Sequence, residues 1–167
     1  TASGECTIPV WQWESVAKAF TSDGLRRKNY SLTTEPIAIT VKPLPERPAN
    51  FSGAVGKFAL EASLKRKEVI QGVPTELTIV IRGQGNPTTL GDIPLPKIEG
   101  TYVGDPKKES TVDPTTMEVQ KTSVYSITPL EPGQIVVPEI EFCFFDPATG
   151  RFQTLKKGPF PITVLEA

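Results

Sequence analysis

Few side chains in this sequence have the types and spacing that chemistry requires, and histidine is absent. Without histidine the chain lacks Ser-His-Asp and Cys-His nucleophile pairs, His-ligated zinc and the commonest general base. The acids Glu139, Glu141 and Asp146 have the oxygen ligands that calcium prefers. Calcium loops gather such ligands around a tight turn, whereas a strand spreads them out. We therefore expect a solvated strand face at these acids, and no catalytic residue, metal or cofactor in the chain.

The segment 83–86, Gly-Gln-Gly-Asn, begins like a phosphate-binding glycine loop. It lacks the third glycine and the helix whose N-terminal amides would hold the phosphate, so the sequence predicts a turn. The cysteines, Cys6 and Cys143, are too few for a disulfide framework. We expect both to be free, partly buried thiols that behave as small apolar side chains; the alternative is a disulfide that joins the two ends of the sequence.

Composition limits the class of protein. The 17 prolines in 167 residues exclude a helical bundle, because proline lacks the N–H that a helix interior needs. A net charge of −1 gives no electrostatic reason to bind nucleic acid or an anionic membrane. No stretch approaches the ~18 apolar residues of a membrane span. Since the sequence begins with a polar Thr-Ala-Ser-Gly segment and no signal peptide, we expect it to be a piece of a longer protein.

Alternation of apolar and polar residues is the dominant pattern, and it predicts antiparallel strands packed in an all-β sandwich. The pattern is clearest in segments 37–41, 58–64, 77–82, 139–144 and 160–164. Turn-forming residues separate these segments, and 146–150 is predicted to close a hairpin. The Pro-rich segment 83–118 predicts long connections with brief edge strands. Only Glu14 to Phe20 shows a pattern that could form a short helix.

An internal repeat divides the chain. Residues 4–9 match 133–138, and residues 36–41 match 159–164, with the first copy holding a longer loop between its two segments. The repeat predicts that 1–43 is the C-terminal hairpin of a truncated upstream sandwich domain. Residues 44–167 are then a complete immunoglobulin-like β-sandwich domain, joined through a Pro-rich linker at 44–48. The alternative is a chance similarity between two hairpins in a proline-rich chain.

The repeat aligns Trp11 with Ile140 and Trp13 with Phe142, which places both indoles on the core side of an incomplete domain. The alternative is an aromatic platform for a sugar or a peptide, because flat rings stack well. An isolated two-stranded hairpin is marginal in water. We therefore expect 1–43 to dock on the second domain or to self-associate with another copy of the chain.

Residues 51–58, Phe-Ser-Gly-Ala-Val-Gly-Lys-Phe, resemble the BatD family of bacterial proteins, which is named for a presumed role in aerotolerance. The resemblance continues through 68–74 into the strand 75–82, and then through 83–86, 131–133, 137–142 and 145–147. It covers most of 44–167, and it rests on the order and spacing of these motifs.

The resemblance implies a periplasmic array of immunoglobulin-like sandwiches on a protein whose membrane anchor lies outside this chain. It also implies partners among Bat proteins that carry von Willebrand factor A domains, and it supplies no catalytic or ligand residues. We therefore expect a noncatalytic protein-interaction or structural module, with Trp11, Trp13 and Tyr102 as the candidate interaction surface and 101–118 as the candidate edge. The alternative is an envelope polysaccharide-binding or adhesin-type module.

Overall fold

The computed structural model describes residues 3–167, so the first two residues of the predicted segment 1–43 lie outside it. Most of the described residues lie in strands, and the other regular element among them is a single turn of 3-10 helix at Pro87–Thr89, which confirms the predicted all-β sandwich. They divide into two compact units, of which the first ends at Glu46 and the second is Arg47–Ala167. Within the described residues, no helix is long and apolar enough to cross a membrane.

Unit 1 is a single long antiparallel ribbon. Its four strands are β1 (Gly4–Ile8), β2 (Gln12–Thr21), β3 (Gly24–Thr33) and β4 (Ile37–Val41). Strand β1 pairs with β4, and β2 pairs with β3 across a two-residue turn. Between these ladders, the Thr34 N–H donates to the Trp11 carbonyl and the Trp11 N–H donates to Thr34 Oγ1, both at 2.9 Å. One register therefore runs without a slip through the whole ribbon.

The short helix predicted over Glu14 to Phe20 is wrong, because these residues lie within β2 and each is paired with a residue of β3. The alanines Ala17 and Ala19 favour a helix locally. A helix of seven residues is nevertheless too short to be stable alone. The hairpin supplies backbone partners across the turn for the same segment, so pairing overrides the local preference.

Unit 2 contains two sheets. Its strands are β5 (Phe51–Leu64), β6 (Glu68–Ile70), β7 (Thr75–Gly85), β8 (Thr101–Val103), β9 (Lys107–Val112), β10 (Glu118–Pro129), β11 (Gly133–Val137), β12 (Ile140–Asp146), β13 (Arg151–Lys157) and β14 (Phe160–Leu165). The larger sheet has the order β13-β12-β5-β7-β10, and both β8 and β9 pair with the outer side of β10. The smaller sheet has the order β11-β14-β6. The predicted hairpin at 146–150 is confirmed as the connection between β12 and β13.

Two strand pairs differ from the antiparallel prediction. Strand β12 pairs with β5, and β14 pairs with β6, in parallel. In both cases a strand from the end of the unit lies beside a strand from its beginning. Alternation along a strand does not distinguish parallel from antiparallel neighbours, since both place successive side chains on opposite faces.

The core lies between the two sheets and is formed by the apolar residues that alternate along the strands. Phe58 packs in this core with its ring edge-on to Phe142 at 5.8 Å and to Phe144 at 5.5 Å between ring centroids. The predicted inward set on β7 is buried, with Leu77, Ile79 and Ile81 at most 3% exposed. Burial of side chains of this size contributes roughly 1.5–3 kcal/mol each.

The turn predicted at 83–86 is also wrong for its first three residues, which form the last part of β7. Gly83 and Gly85 lie against β5, where an added Cβ on Gly85 would meet the Val55 carbonyl oxygen at 2.5 Å and the Phe58 ring at 2.6 Å. Glycine within a strand often marks a close approach of this kind. These glycines therefore make room for Phe58.

Candidate interaction surfaces

The two copies of the repeat pair with the same register in the structure. The corresponding cross-strand pairs are Gly4–Val41 with Gly133–Val164, Cys6–Ile39 with Ile135–Ile162, Ile8–Ile37 with Val137–Phe160, and Trp13–Leu32 with Phe142–Leu155. The first copy is longer only at its tip. There it adds four pairs before a two-residue turn, where the second copy closes after Asp146–Arg151. Both copies therefore follow one β plan, in which two antiparallel ladders share one register and belong to two separate sheets.

The counterparts of one set of ribbon residues form part of the core of unit 2. We call this set the open face; it combines one side of the β1–β4 ladder (Cys6, Ile8, Ile37, Ile39 and Val41) with the side of the next ladder that carries Trp11, Trp13 and Leu32, because in unit 2 the equivalent ladders belong to the two different sheets. Their counterparts are Ile135, Val137, Ile140, Phe142, Leu155, Phe160, Ile162 and Val164, all of which belong to the core or pack against it. The repeat thus assigns the open face to the inner side of a sandwich.

Exposure distinguishes the two copies. Trp11 is 72% exposed where its counterpart Ile140 is 1% exposed, and Trp13 is 60% exposed where Phe142 is 1% exposed. Every other member of the open face is exposed too, apart from the half-buried Val41. The sequence placed the indoles on a core side, and in the structure that side is uncovered. The expected docking or self-association of 1–43 stays a prediction.

Tyr102 lies in the other unit, on β8, with 65% of its surface exposed. Its neighbour Thr101 is held by a hydrogen bond from its hydroxyl to the Ile98 carbonyl at 2.8 Å. Strands β8 and β9 are the brief edge strands that the 83–118 segment predicted, and all six residues of β9 are exposed. Tyr102 therefore belongs to unit 2, whereas the two indoles belong to unit 1.

A cluster of charges ties the 87–98 connection to this edge. The Asp92 carboxylate contacts the ammonium groups of Lys108 on β9 and Lys121 on β10, each at 2.5 Å. Hydrogen bonds from Lys108 and then from Lys121 hold the pKa of Asp92 below its ordinary value. Sequence reasoning missed this cluster because its members are far apart in the chain and follow no motif.

Of the three acids considered for calcium, Glu139 and Glu141 lie on a solvated strand face, as predicted, whereas the prediction is wrong for Asp146. Lys156 on β13 contacts Glu141 at 2.6 Å and Glu139 at 3.0 Å, and its hydrogen bond lowers the pKa of Glu141. Asp146 is buried instead, and it accepts hydrogen bonds from the Ala148 N–H and from Gln153 Nε2, both at 2.9 Å. It caps the turn between β12 and β13. Across residues 3–167, the structure places no three acids, thiols or imidazoles close enough to hold a metal ion.

The cysteines are free thiols. Cys143 is buried on β12, where its carbonyl accepts a hydrogen bond from Ser52 Oγ at 2.6 Å. Cys6 is exposed on the open face.

No protein-family model, curated protein or solved structure matches this chain. The likeness to the BatD family therefore remains a resemblance of short motifs, and its implications are proposals.

Proposed function

We propose that this chain is a noncatalytic protein-interaction and structural module of a BatD-like protein of the bacterial cell envelope. The observation that carries the proposal is that large aromatic side chains are exposed in both units, Trp11 and Trp13 in the ribbon and Tyr102 on β8. Clusters of exposed apolar side chains are typical of surfaces that contact other proteins. The absence of histidine from the sequence supports the noncatalytic part of the proposal.

The resemblance supplies the setting and the partner class. In this proposal the module stands in the periplasm, its membrane anchor lies outside these residues, and its partners are Bat proteins with von Willebrand factor A domains. The presumed role in aerotolerance is then exercised through that complex.

The surface that we assign to these partners is the edge around Tyr102. Strand β9 carries Lys107, Lys108 and Glu109, and charges on an edge strand oppose simple strand addition. An exposed tyrosine beside such an edge is instead suited to act as an anchor that inserts into a pocket of the partner, because aromatic residues dominate binding energy at interfaces.

Binding of the chain to a purified von Willebrand factor A-domain Bat protein, measured by biolayer interferometry, tests this assignment. Tyr102→Ala is expected to weaken the affinity about tenfold or more, the effect of losing an aromatic anchor. The matched control is Tyr30→Ala, because Tyr30 is also exposed but lies in the ribbon. Absence of binding by the unmodified chain contradicts the proposed function, whereas equal loss in both variants contradicts the assigned surface.

One observation favours a second candidate, recognition of envelope polysaccharide. Trp11 and Trp13 are both exposed and are two residues apart along one face of the ribbon, which separates them by roughly 7 Å. Flat apolar rings at such a spacing can stack on successive sugars. Titration with soluble cell-wall glycan would change the indole fluorescence if this function holds. An unchanged signal at saturating glycan would exclude it.

A further inference from the structure

We propose that the open face of the ribbon is the docking surface for a set of strands arranged like β5 to β10 of residues 47–132. We call such a set a half-sandwich. That half would supply one strand parallel to β2 and another parallel to β4. The inference concerns unit 1, whereas Tyr102 belongs to unit 2. It holds whichever partner binds at Tyr102.

The first step is the free backbone edge of β2. Because the Trp11 N–H and carbonyl both bond to Thr34, alternation along the strand turns the N–H and carbonyl groups of Glu14 and Val16 toward the opposite edge. Within the described residues, β2 pairs with β3 alone. Glu14 and Val16 therefore present a row of backbone groups that a further strand can pair with.

The second copy of the plan shows what pairs with that edge. The counterpart of Glu14 is Cys143, which pairs with Phe51 of β5, and the counterpart of Val16 is Phe145, which pairs with Val55. Both pairs are parallel. In the smaller sheet, β14 is the counterpart of β4, and its outer edge also pairs with a parallel strand, β6. The strands of unit 2 that fill these two edges both come from residues 47–132.

The third step is packing. In unit 2 the half-sandwich covers Ile140, Phe142 and Phe144 with the ring of Phe58 and its neighbours. The ribbon holds Trp11, Trp13 and Ser15 at those positions, and Ser15 lies on the same face as the indoles because successive pairs of a ribbon alternate between faces. The two tryptophans are larger than their counterparts in unit 2, and the serine is smaller than its counterpart. Because these differences in volume offset one another in part, a half-sandwich can pack on the ribbon after local repacking.

These steps select a half-sandwich over a second copy of the ribbon. Two ribbons related by a two-fold axis across the β2 edge would pair antiparallel, whereas the equivalent edge in unit 2 takes a parallel strand. A second whole chain also offers no vacant half, because its residues 47–132 are already covered by its own strands β11 to β14.

An extended chain tests the proposal directly. It carries an additional copy of residues 47–132 joined directly to Gly4 of the chain, the order in which unit 2 joins residue 132 to Gly133. The added copy contains neither tryptophan nor cysteine, so indole and thiol signals report only on the original residues. Cys143 is buried and serves as the unreactive reference.

In the extended chain, the added strands should cover both indoles and Cys6. We expect acrylamide quenching of the indoles and the rate of Cys6 labelling by a thiol reagent to fall roughly tenfold, because covered groups react only when the structure opens locally. Val16→Pro in the extended chain removes an N–H of the free edge and should restore quenching and labelling. Val16→Thr is the matched control, because threonine keeps that N–H and suits a strand.

Indoles and Cys6 that stay as accessible in the extended chain as in the original overturn the proposal, whether or not the added copy folds. Equal protection in the Val16→Pro and Val16→Thr variants overturns the parallel pairing along β2. Sedimentation of the original chain supplies a third measurement. A dimer whose indoles are already protected would make a second copy the occupant and would also overturn the proposal.

Discussion

Individual residues decide how closely the strands of unit 2 approach one another. Gly83 and Gly85 lie on β7 directly beside Phe58, and any Cβ at either position would overlap the Phe58 ring and the backbone of β5. Because Phe58 contacts both Phe142 and Phe144, a shift of its ring would disturb two side chains that are almost fully buried. The apparent turn signal of these glycines is therefore a packing requirement.

Gly83→Ala is accordingly expected to destabilise unit 2 by about 1–3 kcal/mol, the usual cost of forcing extra volume into a packed site. Urea unfolding followed by circular dichroism measures the loss. The matched control is Gly104→Ala, since a Cβ there would have no neighbour closer than 3.9 Å. An equal effect of the two substitutions would show that the glycine effect is conformational rather than steric.

At the scale of elements, the Asp92 cluster fastens the edge strand β9 to the sheet. The charge on Asp92 holds Lys108 of β9 and Lys121 of β10 at the same carboxylate. The pKa of Asp92 is lowered in the folded chain. The ionised Asp92 and its two lysines therefore stabilise the folded state fully at pH values above the ordinary pKa of aspartate, about 3.9. That stabilisation is lost as the pH falls through the lowered pKa.

We therefore expect amide exchange of β9, corrected for intrinsic rates, to speed up relative to that of β12 as the pH falls below about 4. Asp92 is 46% exposed, so the effect should not exceed about 1 kcal/mol. Asp92→Asn should remove the acid dependence and leave β9 less protected at neutral pH. A wild-type β9 that keeps its relative protection through the acid range would contradict this role.

At the scale of the whole molecule, the two units differ in how far they bury their apolar side chains. Unit 2 encloses a core of two sheets, whereas unit 1 is a ribbon with an uncovered open face. The chain has two tryptophans, and both lie on that face. The indole signal and the core of unit 2 should therefore respond to different events.

Urea should consequently unfold unit 2, as seen by circular dichroism, with little change in indole emission, because Trp11 and Trp13 are already 72% and 60% exposed. Phe142→Ala should lower the urea midpoint, with a cost of about 3–5 kcal/mol, and leave the emission of the native protein unchanged. A large emission shift that coincides with the main transition would show that the indoles are buried in the native chain in solution.

Local sequence information predicted the elements well wherever alternation and turn residues agreed. It predicted the inward residues of β7, the β12–β13 hairpin and the solvated acids Glu139 and Glu141. It failed over Glu14 to Phe20 and at Gly83 and Gly85. There the local preference competes with pairing and close packing against residues that are distant in the chain.

The candidate surfaces could be predicted from the sequence only in part. The repeat identified the indoles as core-side residues, and extending it to the Leu32–Leu155 match would have delimited the open face. The Asp92 cluster gave no signal, since salt bridges between different strands depend on where the 87–98 connection runs.

The sequence by itself determined the β class and the two copies of one plan, because side-chain period, prolines at matched positions and turn chemistry are local properties that the chain carries in any environment. Only the tertiary structure decided which copy is covered. Burial depends on the strands that lie opposite a face, and residues 47–132 provide such strands for β11 to β14. The same apolar pattern is therefore a closed core in unit 2 and an open face in unit 1.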